Sequence, residues 1–192
     1  MTNRQSTIRF LTQNELKALL DKAKKQSLRD YCMILLAYRH GLRASEICNL
    51  TVQNLDLDAG NIRCERGKGS ISNWQTLGED EVKALRSWLR KRPKSDSPFV
   101  FLSRKGTPVS RSQFFRIFKA IAQSIGLSAE KCHPHILKHS LGTHLANAGV
   151  SPQVIQNRLG HRNIQNTMVY LTVSNAYTDR MFEAALANGA VV

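Results

Sequence analysis

The chain has 192 residues, 42% of them hydrophobic, enough to bury one good core and so to build one domain rather than two small ones. Twenty-eight Lys and Arg against 14 Asp and Glu leave a net charge of +14, which points to a polyanionic partner, DNA or RNA before a ribosomal or membrane surface. No apolar run approaches the roughly 18 to 20 residues that span a bilayer, and no apolar signal core follows Met1-Thr-Asn-Arg-Gln-Ser, so a cytoplasmic protein is expected.

In chain order, Thr12-Gln-Asn-Glu15 reads as a capping box opening a helix with Leu16, Leu19 and Leu20 on its apolar face. Ser27 caps a second helix that runs through Tyr31, Met33, Leu35 and Leu36 until Gly41 stops it, and a short helix spans Ala44 to Leu50. The pattern then turns to strand: Leu55-Asp-Leu-Asp, a turn at Ala59-Gly60, Asn61-Ile-Arg-Cys-Glu, a Gly67-Lys68-Gly69 turn, and Ile71 to Leu77. Helix returns at Glu79–Lys91, a loop covers Pro93–Ser97, and Phe99–Leu102 forms a short buried segment. Ser110 caps a helix bearing Phe114, Phe115, Ile117, Phe118 and Ile121. Further helices are predicted at 136–148, at 152–159 with Ser151 as cap and Pro152 in the first turn, near 163–171, and at about 175–187. The expected fold is mainly α with a small antiparallel β-sheet. Cys32, Cys48, Cys64 and Cys132 are scattered with no C-x-x-C pair, which fits free thiols better than disulfides or a zinc site.

Chemistry-bearing residues fall in four places. Arg43 follows the Gly41 stop on the turn into the next helix, where Glu46 three positions on can hold it inward; alone it is equally an ordinary surface ion pair. Lys68 sits at the tip of a Gly-Lys-Gly turn, either a swinging cation near a phosphate or a solvated hairpin tip, and no P-loop pattern surrounds it. In His133-Pro-His135-Ile-Leu-Lys138-His139, His135 and Lys138 share a helix face at i and i+3 and read as proton carrier and cation. His135 and His139 have zinc-protease spacing, but Ile136 stands where that motif needs its Glu, so no metal is expected; His139 reads as a structural residue under the helix. Finally, His161 in Leu159-Gly-His-Arg-Asn either donates to a phosphate or caps the preceding helix, and Tyr170 follows nine residues later.

Taken in order, G-L-R-A-S-E-I, a lysine on a hairpin, H-x-x-K-H, L-G-H-R-N and a following tyrosine closely resemble the tyrosine recombinase (phage integrase) family, from about residue 8 to 182. The segments R-A-S-E-I-C-N-L, F-L-S-R-K-G, H-P-H-I-L-K-H-S and L-G-H-R-N-I look like its small fimbrial-type DNA invertases, which lack the N-terminal core-binding domain of larger integrases. The resemblance implies that residues 1–192 form a single recombinase catalytic domain, with 172–192 a tail able to dock on a neighbouring protomer through Tyr177, Met181, Phe182 and Leu186. It implies that Tyr170 is the nucleophile, leaving a 3′-phosphotyrosyl link and a free 5′-hydroxyl, and that Lys68 protonates the leaving oxygen. His135 would be general base or proton relay, while Arg43, Lys138 and His161 hold the non-bridging oxygens. No cofactor, metal or ATP enters. The implied partner is double-stranded DNA with short inverted-repeat sites. Four protomers would work on two such sites, with a monomer or weak dimer when free, DNA-bending accessory proteins, no membrane, and a cytoplasmic, nucleoid-associated location.

One departure stands out. The family has arginine where this chain has Lys138, which keeps the charge but loses the planar fork that grips two phosphate oxygens. The sequence leaves open a slower enzyme, a site compensated by a nearby arginine, and a recombinase fold that only binds DNA as a regulator. A type IB topoisomerase is a weaker fourth reading, given the short chain.

Overall fold

A computed structural model describes residues 8–171 and 182–188. Eight α-helices and a three-stranded sheet make up the described fold up to residue 171: α1 Gln13–Gln26, α2 Leu28–Arg39, α3 Ala44–Cys48, β1 Leu55–Asp56, β2 Asn61–Cys64, β3 Asn73–Thr76, α4 Glu79–Lys91, α5 Arg111–Ser124, α6 His135–Asn147, α7 Pro152–Leu159 and α8 Gln165–Leu171. The mainly helical expectation with one small sheet holds. Local sequence signals set most of the boundaries: Thr12 and Glu15 form the reciprocal box at α1, Ser27 caps α2, and Ser151 with Pro152 opens α7. Helix α3 is shorter than its apolar pattern suggests, because Asn49 closes it and Leu50 leads into the next segment, where its carbonyl accepts from Val100 N at 2.8 Å.

The sheet is antiparallel in the order β1-β2-β3, with Ile62 opposite Leu55 and Gln75, and Cys64 opposite Asn73. Along β2 the burial alternates, Ile62 and Cys64 inward, as a strand with one covered face requires. The third strand is shorter than Ile71–Leu77 because the chain at Ser70 and Ile71 leaves β2 and joins the loop after α7: Ser70 bridges His161, and Ile71 N donates to Gly160 O at 3.0 Å. This detour brings the Lys68 turn to the rest of the site.

Two apolar clusters hold the helices. The larger gathers Leu19, Met33, Ile34 and Leu36 with Phe101, Phe114, Phe118, Ile136 and Leu137, and each fully buried aliphatic or Phe side chain contributes roughly 1.5–3 kcal/mol. The smaller comprises Leu141, Ala146, Ile155, Leu159 and Tyr170, between α6, α7 and α8. Helix α6 serves both, which is why it is buried nearly all round rather than along one stripe. The four cysteines are buried and unpaired. Among the described residues, no helix is long and apolar enough to cross a membrane. Residues 182–187 are helical, with Phe182 and Leu186 exposed, whereas Tyr177 and Met181 lie outside the described residues.

Candidate active site

Four segments meet around Tyr170. The first is the turn before α3. Gly41 takes a positive φ of 57°, and a side chain there would come within 2.6 Å of Leu159 Cδ2, so the turn presses directly on the end of α7. Arg43 then occupies the N-cap position of α3, and Glu46 at the third helical position accepts from its backbone N–H at 2.8 Å and from Nη1 at 2.8 Å. Arg43 Nη1 also donates to Ser70 Oγ at 3.0 Å, while 39% of its side chain stays exposed and available to a ligand. Burial alone would raise the Glu46 carboxyl. Hydrogen bonds from the Arg43 backbone and side chain, the Arg66 charge and the Gly67 N–H overcome that and hold it below the usual carboxylate range. The orientation of Arg43 by Glu46 is as the spacing suggests.

The second segment is the β2–β3 turn. Lys68 is exposed and makes no hydrogen bond or ion pair with any described residue. Its backbone is not loose: Gly67 N donates to Glu46 Oε1 at 3.2 Å and Ser70 N to Gly67 O at 3.1 Å, with Gly69 at φ 83°.

The third is α6, where structure and sequence expectation part. His135 and Lys138 do not present one surface. His135 is exposed, whereas Lys138 is only 2% exposed and donates Nζ to Leu159 O at 2.6 Å. Desolvation, reinforced by Arg66 and Arg43 and opposed by Glu46, pushes the Lys138 ammonium down to about 7. His135 reaches solvent yet is crowded enough that desolvation, with His139, Lys138, His133 and Arg43 adding to it, pushes it down to about 4. The residue read as structural, His139, is the one that touches the tyrosine: its Nδ1 lies 3.2 Å from Tyr170 Oη, and its ring packs edge-on to His135 with centroids 4.4 Å apart. Its pKa is lowered by burial and by His133 and Lys138, which favours the neutral ring, and in the tautomer protonated at Nε2 its Nδ1 can accept the phenol's proton in that hydrogen bond. The signal in the sequence is the i, i+4 pairing with His135, which reads as a metal motif but here brings two rings together edge to face.

The fourth segment follows α7. Gly160 closes that helix in the left-handed conformation at φ 66°. His161 does not cap α7 with its ring. Its Nδ1 pairs with Thr167 Oγ1 at 3.0 Å, and its ring stacks on Tyr170 with centroids 6.3 Å apart and planes 9° from parallel. With Thr167 satisfying Nδ1, Nε2 is left for a ligand. Burial first, then Lys138 and Arg43, pushes His161 down to about 4, so it is neutral near pH 7. Thr167 was not singled out from sequence, although it shares a helix face with Tyr170 at i, i+3.

Tyr170 itself is 2% exposed, and burial pushes its phenol up to about 12 against the pull of Arg43. Its ring lies over Gly142 of α6, where an added Cβ would meet Cε2 and Cζ at 2.7 Å. Gly142→Ala is therefore expected to dislodge the ring, overpacking costing about 1–3 kcal/mol less the roughly 1 kcal/mol of helix propensity gained, or a Tm drop of up to about 8 °C with Tyr170 newly open to reagent. Melting curves with tyrosine nitration check this. An unchanged Tm with Tyr170 still protected would mean that the ring is not seated there. Among the described residues, no group of three or more His, Cys, Asp or Glu is placed to hold a metal ion.

Comparison with known proteins gives consistent results. The family model described as phage integrase family matches residues 9–176. Type 1 fimbriae regulatory protein FimB of Escherichia coli K12 is 46% identical over 172 residues, 87% of this chain and 85% of FimB. FimE from the same strain is 40% identical over 174 residues, 88% of this chain and 87% of FimE. Tyrosine recombinase XerA of Pyrococcus furiosus is 30% identical over 178 residues, and the match spans 91% of this chain but 61% of XerA. Among solved structures, XerA recombinase superposes with a TM-score of 0.79 at 25% identity, over 95% of this chain and 65% of that one. The Tn1549 transposon integrase in complex with transposon right end DNA superposes with a TM-score of 0.75 at 23% identity, over 94% of this chain and 68% of that one.

Proposed function

This chain belongs to the phage integrase family, and from that premise we propose how its own residues cut and rejoin DNA. It is a tyrosine-type site-specific DNA recombinase that binds DNA. The observation carrying the residue assignment is that Arg43 before α3, His139 on α6 and His161 after α7, from three separate segments, all act on one buried phenol, with Lys138 next to His139 on α6.

In the proposed reaction, Tyr170 Oη attacks the scissile phosphorus and the P–O5′ bond breaks, giving a 3′-phosphotyrosyl link and a free 5′-hydroxyl. The phenolic proton passes to His139 Nδ1, the ring within hydrogen-bond distance, with His135 packed beside it as relay. Lys68, exposed on its hairpin, reaches the leaving 5′-oxygen and donates a proton to it. Arg43 holds the non-bridging oxygens with its exposed face, Lys138 supplies positive charge behind them, and His161 donates through Nε2. Fixed positive charge thus faces the charge that develops in the transition state. A 5′-hydroxyl from another strand reverses the chemistry and reseals the link.

The phenol is closed off in this state, so the phosphate and Tyr170 must come together as DNA binds. The charge of +14 favours that encounter through phosphate contacts. Short inverted repeats as the sites, four protomers on two of them, inversion or integration as the outcome, a single domain over residues 1–192, and docking of the segment beyond 172 on a neighbour complete the proposal. The burial of Lys138 favours one second reading, a DNA-binding regulator with weakened chemistry. The test is to lyse expressing cells under denaturing conditions and sequence the DNA that stays attached to the protein. Recurrent adducts at discrete inverted repeats are expected. DNA recovered only under native conditions would leave the regulator.

A further inference from the structure

A cation outside the roles assigned above is the most enclosed of the cluster. Arg66, two residues before Lys68 on the β2–β3 turn, has a side chain with 0% exposure. Its Nη2 donates to His40 O at 2.7 Å and to Arg158 O at 3.0 Å; its Nη1 donates to Gly41 O at 2.7 Å and to Glu46 Oε2 at 3.2 Å. The acceptors belong to the turn that delivers Arg43, to the carboxylate that grips Arg43, and to the last turn of α7, which delivers His161. The backbone of Arg66 carries Lys68. Nothing but glycine fits at position 160 beside it, since a Cβ there would sit 2.8 Å from Arg66 Nε. That Nε is buried with no hydrogen-bond partner among the described residues. A guanidinium held mostly by neutral carbonyls, sharing one carboxylate with Arg43, is a costly way to stabilise a fold. Arg158 O and Leu159 O, held by Arg66 and Lys138 respectively, are adjacent carbonyls at the C-terminus of α7, so the two cations fix the same helix end side by side.

We propose that Arg66 is the positioning residue of this active site, setting Arg43, Lys68 and His161 in register by tying their three segments to one guanidinium. The proposal rests on the residue roles given under the proposed function. It goes beyond them by assigning the geometry of the site to a side chain that no DNA strand can touch. A lysine in its place is a point charge with three donors and cannot span four acceptors in one plane. Arg66→Lys is therefore expected to restore only part of what Arg66→Met loses.

The experiment compares wild type, Tyr170→Phe, Arg66→Met and Arg66→Lys in the full chain. Covalent DNA capture is read alongside affinity for a random-sequence duplex and thermal melting. The expected result is affinity within about threefold of wild type for both Arg66 variants. Adduct yield should fall by at least about tenfold in Arg66→Lys and further in Arg66→Met, because a misaligned site loses chemistry rather than phosphate attraction. Wild-type adduct yield in either variant overturns the proposal, as does a parallel loss of affinity and adduct in Arg66→Lys. Should Arg66→Met not fold, Arg66→Lys alone decides by the same criteria. If wild type and Tyr170→Phe give the same yield, the assignment of the nucleophile has failed and the proposal falls with it, an outcome distinct from an inert Arg66.

Discussion

Replacing Tyr170 with Phe is expected to remove covalent DNA attachment altogether, a loss on the order of 10⁶-fold in strand cleavage, the scale at which deleting a nucleophile silences an enzyme. The substitution is mild for the fold. The ring keeps its place over Gly142 and against His161, and only the hydroxyl and its 3.2 Å hydrogen bond to His139 are lost. The stability change should stay within about 1.5 kcal/mol, the net worth of one such bond. Binding to the target duplex should be unchanged, because the phenol is buried and contributes no charge near neutral pH. Single-turnover cleavage with trapping of the covalent adduct, run beside a gel-shift titration, separates the two. A Phe variant that still forms adducts would move the nucleophile to another side chain. One that loses DNA binding as well would make Tyr170 a structural aromatic.

Lys138 carries the second large effect. Lys138→Met is expected to slow cleavage by roughly 10²–10³-fold, comparable with losing one oxyanion donor, and to leave Leu159 O without its donor. The pH profile distinguishes charge from packing. The ammonium is brought from its ordinary 10.5 to about 7, by desolvation first and then by Arg66 and Arg43. Phosphate stabilisation needs the protonated form, so kcat/KM of the wild type should fall as pH rises above about 7, while Lys138→Arg, always protonated, should lose that alkaline limb. His135 and His161, both near 4, stay neutral across this window and do not contribute to it. The stability dependence has the opposite sign. Between about 7 and 10.5 the unfolded chain holds a proton at this position that the folded chain does not, so stability rises with pH there. A wild-type profile flat through pH 9 would mean that Lys138 does not serve the phosphate as a cation.

Much of the fold was legible locally. Capping residues before α1, α2, α5 and α7, glycine stops after α2 and α7, and the change from helical to alternating periodicity at Leu55 are all short-range signals, and helices form where those signals say. The ends of β3 and α3 were not, because they depend on which distant backbone a residue pairs with: His161 and Gly160 for Ser70 and Ile71, and Val100 for Leu50.

The same division runs through the site. The sequence by itself determined that the chain carries an ordered set of cations, histidines and a tyrosine on a basic, mainly helical domain, and that position 138 holds lysine. Spacing along a helix can also say which residues share a face, and for Arg43 and Glu46 it did. Only the tertiary structure decided which histidine meets the phenol, that Thr167 holds His161, that Lys138 turns inward to Leu159, and that Arg66 stands at the centre of the cluster. Those contacts join residues far apart in the chain, such as Arg66 with Arg158 and Lys138 with Leu159. Burial, which sets their protonation, depends on how α6, α7 and the β2–β3 turn close over one another, and no local pattern encodes that distance.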